Sequence, residues 1–257
     1  MASPVYQGVD RYGPTAYVYP GGGWPSSQTL SAPSFGASTC LVAFVSEFGN
    51  LAANPNIDHW KVPASWVFRG QGGATLGTGF STNLYQRIHL YQCKPGEVAG
   101  ANVRPEKADN TLFVPTIGAD RTYWRVFVLG FTPSKLGNYT RSAGAGEGSS
   151  QLPAPPVPVP YLIGVGEGTF VQFTFGSFAF GGNPGTIVNA NGWTERFIEP
   201  NMKIATKAFA ASTTTQPIIY TKGFTINQIG SSFGVSLDTP PPVGGFGVYR
   251  DDRVHAT

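Results

Sequence analysis

The stretch Leu152-Pro-Ala-Pro-Pro-Val-Pro-Val-Pro160 divides the chain, and five of its nine residues are proline. Each proline fixes φ and lacks a backbone donor, so the segment can join neither a helix nor a central strand. It is expected to run as a polyproline II spacer of roughly 28 Å, at about 3.1 Å per residue. The flexible run Ser142-Ala-Gly-Ala-Gly-Glu-Gly-Ser-Ser150 precedes it. Flexible then stiff is how a linker between two folded bodies reads, and residues 141–162 are assigned to it. With 257 residues, each body is long enough to bury its own core.

Both bodies are expected to be built from strands. Residues 37–140 open on Thr39-Cys-Leu-Val-Ala-Phe-Val-Ser-Glu-Phe48, an apolar run rich in β-formers. A corner at Pro63 and a core Trp66 follow, then long strands at Asn83–Cys93 and Arg121–Phe131. The polar stretch 98–110 reads as a loop. Residues 163–239 repeat this order: Gly168–Phe175, then Asn191-Gly-Trp-Thr194, Met202–Phe209, Pro217–Ile226 and Ser231–Leu237. Trp66 and Trp193 stand 127 residues apart, which points to a tandem repeat. No stretch carries a helical apolar face. The expected fold is all-β, with two tandem β-sandwich, jelly-roll-like domains.

The two ends are expected to be extended arms, residues 1–36 and 240–257. In the first, Tyr6, Tyr12, Tyr17, Tyr19 and Trp24 alternate with glycines and prolines, and no period of 2 or 3.6 lasts. Aromatics without a period suit a strap laid over another surface, with the rings as anchors. A disordered terminus is the alternative.

Charged residues make up only 12% of the chain, about half the usual share of about 25%. A polar but weakly charged skin fits a surface covered by neighbouring subunits. The net charge of +3 is spread out, without a Lys/Arg run, so no nucleic-acid partner is expected. The two cysteines, Cys40 and Cys93, are too few for a disulfide scaffold or a zinc site. Buried thiols and a cross-strand pair both stay open. No apolar run is long enough for a membrane helix, and the segment Met1–Tyr6 lacks a signal-peptide pattern. The chain is therefore expected to be made in the cytoplasm and to leave a cell only by assembly and lysis.

Candidate chemistry is sparse. His59 lies in Ile57-Asp-His-Trp60, His89 is mid-strand, and no nucleophile elbow, zincin motif or P-loop is present. No cofactor, metal or catalytic set is assigned. Glu195 and Glu199 share a region, and two facing carboxylates would suit glycoside hydrolysis. Aromatic rings can also form a sugar platform. Trp66 and Trp124 are read as core, whereas Trp60, beside Asp58 and His59, is the candidate surface ring for a glycan.

The strands Leu41-Val-Ala-Phe44 and Phe170-Val-Gln-Phe173, the frames Val62-Pro-Ala-Ser-Trp66 and Asn191-Gly-Trp-Thr194, and the turn Lys94-Pro-Gly-Glu97 form one pattern. It resembles the small β-sandwich units of minor tail proteins in phages infecting actinobacteria. The resemblance covers about residues 37–131 and 165–238, and the stretch 98–110 is longer than in that pattern. It implies a non-enzymatic virion component, with other virion proteins as partners in a homo-oligomer or ring. A host-facing position, and with it a surface glycan, is part of that expectation. A capsid decoration or spike protein, and a carbohydrate-binding or depolymerase module, are the other readings.

Overall fold

The computed structural model describes residues 4–13, 26–50, 57–76, 83–113, 122–133, 135–144, 151–152, 161–176, 184–199, 202–222 and 230–238. These residues are strands and turns, with one 3₁₀ turn at Pro95–Glu97 and no α-helix. The first eight strands are β1 (Val5–Tyr12), β2 (Gln28–Thr29), β3 (Thr39–Asn50), β4 (His59–Lys61), β5 (Val67–Leu76), β6 (Asn83–Cys93), β7 (Asn102–Glu106) and β8 (Thr122–Thr132). Five of them form an antiparallel sheet in the order β1-β8-β3-β6-β5. The short strands form a second sheet, β2-β7-β4.

The remaining strands are β9 (Lys135–Gly144), β10 (Gln151–Leu152), β11 (Leu162–Gly164), β12 (Gly168–Gly176), β13 (Pro184–Asn189), β14 (Thr194–Glu199), β15 (Met202–Phe209), β16 (Thr213–Thr215), β17 (Ile219–Lys222) and β18 (Gly230–Asp238). Their large sheet runs β9-β18-β12-β15-β14. Position by position this is the order of the first sheet: of its five strands in chain order, the first sits at one edge beside the last, and the second is central. The smaller pairings match as well. β2 pairs with β7 as β11 pairs with β16, and β4 pairs with β7 as β13 pairs with β17.

The central strand β3 is apolar on both faces from Cys40 to Val45, and β12 is buried on both faces, with Gln172 and Thr174 as polar members of one of them. On β3, Cys40, Val42 and Phe44 face the small sheet of the first half, where they pack with Trp60, Trp66, Val103 and Trp124. On β12, Phe170 faces the equivalent layer, with Trp193, Ile218 and Tyr220. The alternate residues turn the other way. Leu41, Ala43, Val45 and Phe127 of the first sheet meet Val171, Phe173, Phe175 and Phe233 of the second in one shared cluster. Burying each such phenylalanine contributes about 1.5–3 kcal/mol. The two halves therefore have a core each and a third core between them.

Glycines key the layers together. Gly8 and Gly130 are partners across β1 and β8, and the ring of Phe35 lies where their Cβ atoms would be. Gly72 on β5 leaves room for the ring of Phe233 from the opposite sheet. A methyl at any of the three would overlap that ring.

The division of the chain differs from the sequence expectation at three places. Arg141–Gly144, assigned to a linker, are the end of β9 and pair with Gly230–Phe233 of β18. Only Pro133 and Ser134 stand between β8 and β9, so the chain passes from one sheet to the other there. Residues 153–160, the core of the proline-rich stretch, lie outside the described residues, as does the arm 240–257. Second, Val5–Tyr12 is no free arm but the edge strand of the first sheet, paired with β8. Third, the stretch 98–110 contains β7, which pairs with both β2 and β4.

Candidate functional site

Two sets of side chains stand out: a corner that occurs once in each half, and the polar groups that close the seam between the sheets. The corner is the sequence Trp66-Val-Phe-Arg69 in the first half and Trp193-Thr-Glu-Arg196 in the second. Ahead of each tryptophan the chain closes a four-residue turn. The Trp66 N–H donates to the Pro63 carbonyl at 3.0 Å, and the Trp193 N–H to that of Ala190 at 2.7 Å. In the second turn Asn191 and Gly192 take up φ of 40° and 79°, where glycine costs least. Each indole then faces the same ring of the central strand. Trp66 and Phe44 have centroids 6.4 Å apart, and so do Trp193 and Phe170.

A β-bulge follows in both halves, between Phe68 and Gly70 and between Glu195 and Phe197. The extra residue is the arginine. Arg69 Nε donates to Gln92 Oε1 at 3.0 Å, and Arg196 Nε to Thr206 Oγ1 at 2.8 Å. Gln92 is the partner of Val67, and Thr206 of Thr194, so each arginine reaches back to the rung beside its tryptophan. The Trp-x-x-Arg spacing was present in the sequence at both tryptophans and marks the two corners beyond the Trp66–Trp193 match.

At the seam, Glu199 on β14 takes Arg11 of β1 on one oxygen and Arg125 of β8 on the other. Burial pushes the Glu199 carboxyl above its usual range, while the two guanidinium groups favour its ionised form. Elsewhere on the seam Gln86 Nε2 donates to Glu47 Oε2 at 2.7 Å and to the Gly176 carbonyl at 3.1 Å. The Arg196 guanidinium lies 5.2 Å above the Tyr6 ring, and Thr169 Oγ1 donates to the Pro4 carbonyl at 2.6 Å. β1 thus belongs to the first sheet by hydrogen bonding and touches the second through its side chains and its Pro4 carbonyl.

Buried polar side chains also tie each large sheet to its small one. His89 Nε2 bonds to the Asp58 carbonyl at 3.0 Å, and burial pushes this imidazole down to about 4. Gln172 Nε2 donates to the Ile218 carbonyl at 2.9 Å, and its Oε1 accepts the Ile218 N–H at 2.8 Å. Glu195 lies 3.6 Å from Lys203, whose ammonium sits 5.1 Å over the Tyr220 ring. Burial, with the Glu195 carboxylate beside it, pushes the Tyr220 hydroxyl up.

His59 is placed between two carboxylates. Its Nδ1 is 3.2 Å from Asp58 Oδ2 and its Nε2 3.1 Å from Glu106 Oε2. Arg104 holds the other oxygen of Glu106, with Nη2 at 2.6 Å. Each ring nitrogen thus faces a carboxylate oxygen of its own chain. His59 and Glu106 are partners across β4 and β7, and the cluster fastens that small sheet. Among the described residues no group of three or more His, Cys, Asp and Glu is placed to hold a metal ion.

The expected interaction residues fall as follows. Tyr6 packs edge-on against Phe131 at 5.9 Å, and the Tyr12 hydroxyl donates to the Ser31 carbonyl at 3.3 Å. Both anchor β1 to its own chain, and burial raises both hydroxyls. Tyr17, Tyr19 and Trp24 lie outside the described residues. Trp60 corrects the surface expectation. It is 2% exposed, stacked on Phe44 at 4.4 Å and edge-on to Trp124 at 5.4 Å, so neither face is open to a sugar. What is exposed instead is a stripe on and beside β11, where Tyr161, Ile163 and Val165 alternate outward. Comparison of the chain with protein-family models, with curated proteins and with solved structures finds no match in any of the three.

Proposed function

We propose that this chain is a non-enzymatic structural component of a phage virion, of the minor tail class, made of two fused copies of one β-sandwich unit. The observation that carries the fused-copy part is the matched strand order, together with the two Trp-x-x-Arg corners that bulge at the same arginine. The packing is reciprocal as well. β5 lies beside β9 and β1 beside β14, the same pair of edges with the halves exchanged.

The structural role is supported by how the ionisable groups are spent. Glu199, Glu106 and His59 each bridge strands, and Glu199 bridges the two halves. The low charge of the chain and the stripe Tyr161, Ile163 and Val165 suit a surface met by other subunits. The test is quantitative mass spectrometry of purified particles. The expected result is the chain at a fixed, low copy number per particle, as a tail component requires. A count matching the capsid lattice would move it to the capsid. Presence in lysate but not in particles would refute the proposal.

A further inference from the structure

We propose that Cys40 and Cys93 form a built cross-strand disulfide site, which closes when the folded chain meets a disulfide oxidant. The two residues are direct partners in the β3–β6 ladder. Partners in an antiparallel ladder stand about 4.5 or 5.5 Å apart at Cα, according to whether they exchange hydrogen bonds. Both values fall within the span of about 4.4–6.8 Å that a disulfide bridges. Direct partners also project their side chains to the same face of the sheet. Here that is the face packed against the small sheet, among Trp60, Trp66 and Trp124.

Both thiols are free and in contact, with the Cys93 S–H donating to the Cys40 sulfur. That bond lowers the Cys40 thiol and raises that of Cys93, which burial raises further. The pair sits at the end of the ladder, and Cys93 leads straight into Lys94 and the 3₁₀ turn. The second half has no such rung. Its β12–β15 ladder starts at Gly168 and Phe209, which match Val42 and Tyr91 when Phe44 is set on Phe170. The link would therefore close an end of the ladder where the first half extends beyond the common pattern.

With oxidised glutathione the chemistry balances in two exchanges. Cys93 is the more exposed of the two, at 6% against 0%, and is reached first. Its thiolate attacks one glutathione sulfur, forming a mixed disulfide and releasing one glutathione thiolate. The Cys40 thiolate then attacks the Cys93 sulfur, the protein disulfide forms and the second glutathione leaves. The two protons from the cysteines end on the two glutathiones. The protein loses two electrons and the oxidant gains them.

The proposal is independent of the virion reading. It is tested on the full chain, either held folded with oxidised glutathione or refolded in its presence, then denatured and alkylated with N-ethylmaleimide. The expected product loses the mass of two hydrogens, takes up no maleimide and yields one linked peptide pair spanning Cys40 and Cys93. Its melting temperature rises by roughly 5–10 °C, since a closed loop restricts the unfolded chain. The C40S and C93S variants each accept at most one glutathione and show no such rise. Two maleimides on the denatured chain after both treatments, or linkage only between chains, would overturn the site.

Discussion

Phe173→Ala probes the core shared by the two halves. Phe173 lies in the middle of β12, between Ile204 and Phe233 on the neighbouring strands, and is fully buried against the first sheet. Truncating a buried phenylalanine costs about 3–5 kcal/mol, the transfer of the ring plus the cavity it leaves. For a chain of this size that lowers the melting temperature by roughly 10–15 °C, at about 2–4 °C per kcal/mol. The discriminating point is which half melts. The substitution is in the second half, but the cavity opens onto Leu41, Val45 and Phe127 of the first. In a W193F background every remaining tryptophan lies at or before residue 124, so fluorescence reports the first half alone. Calorimetry should show one transition, and fluorescence should follow it down. If fluorescence keeps the parent melting temperature while a second calorimetric peak moves, the halves melt separately and the shared core is not what couples them.

Three further perturbations address the polar fasteners. His89 is neutral when buried, with its pKa near 4 in the folded chain against 6.5 when free. Below 6.5 the unfolded chain binds the extra proton, so stability falls from there down to about pH 4, by about 3 kcal/mol in all. Urea unfolding at pH 7 and pH 4.5 should show this loss, and His89→Gln should flatten that part of the profile. Gln172→Leu removes both bonds to the Ile218 backbone and leaves that buried amide unpaired, which should cost about 2–4 kcal/mol in urea midpoint terms. Glu199→Gln leaves Arg11 and Arg125 facing a neutral amide. It should cost about 1–3 kcal/mol, and the cost should shrink when both arginines are replaced by methionine, as a thermodynamic cycle would reveal.

The central strands were legible because β3 is apolar without interruption from Cys40 to Val45, and because β12 alternates, with Val171, Phe173 and Phe175 on one face. The edges were not, for separate physical reasons. β1 was hidden by its bulge: Tyr6 and Val9 both pack on the shared core, yet they stand three residues apart instead of two or four. β7 carries Pro105, which argues against a central strand. Here the proline is placed opposite Trp60, and its carbonyl takes the Phe113 N–H. β9 ends in serine, alanine and glycine, a composition shared with linkers, and only the ladder to β18 makes it a strand. Of the polar sites, Asp58 and His59 could be marked from neighbouring positions. Glu106 came to them only through strand pairing across 47 residues. Trp60 reads as a surface ring from its neighbours Asp58 and His59, and a three-residue strand leaves no period to correct that.

The passage of two residues between β8 and β9 bears on how copies of this chain relate to one another. Straightened, it would carry everything after Thr132 away from its own first sheet and deliver it to that of a neighbour. A reciprocal trade would rebuild both seams, glycine sockets included, and join two chains without one new contact. The number of chains in an assembly of this protein would then answer to a hinge at Pro133 rather than to the chemistry of any outer face.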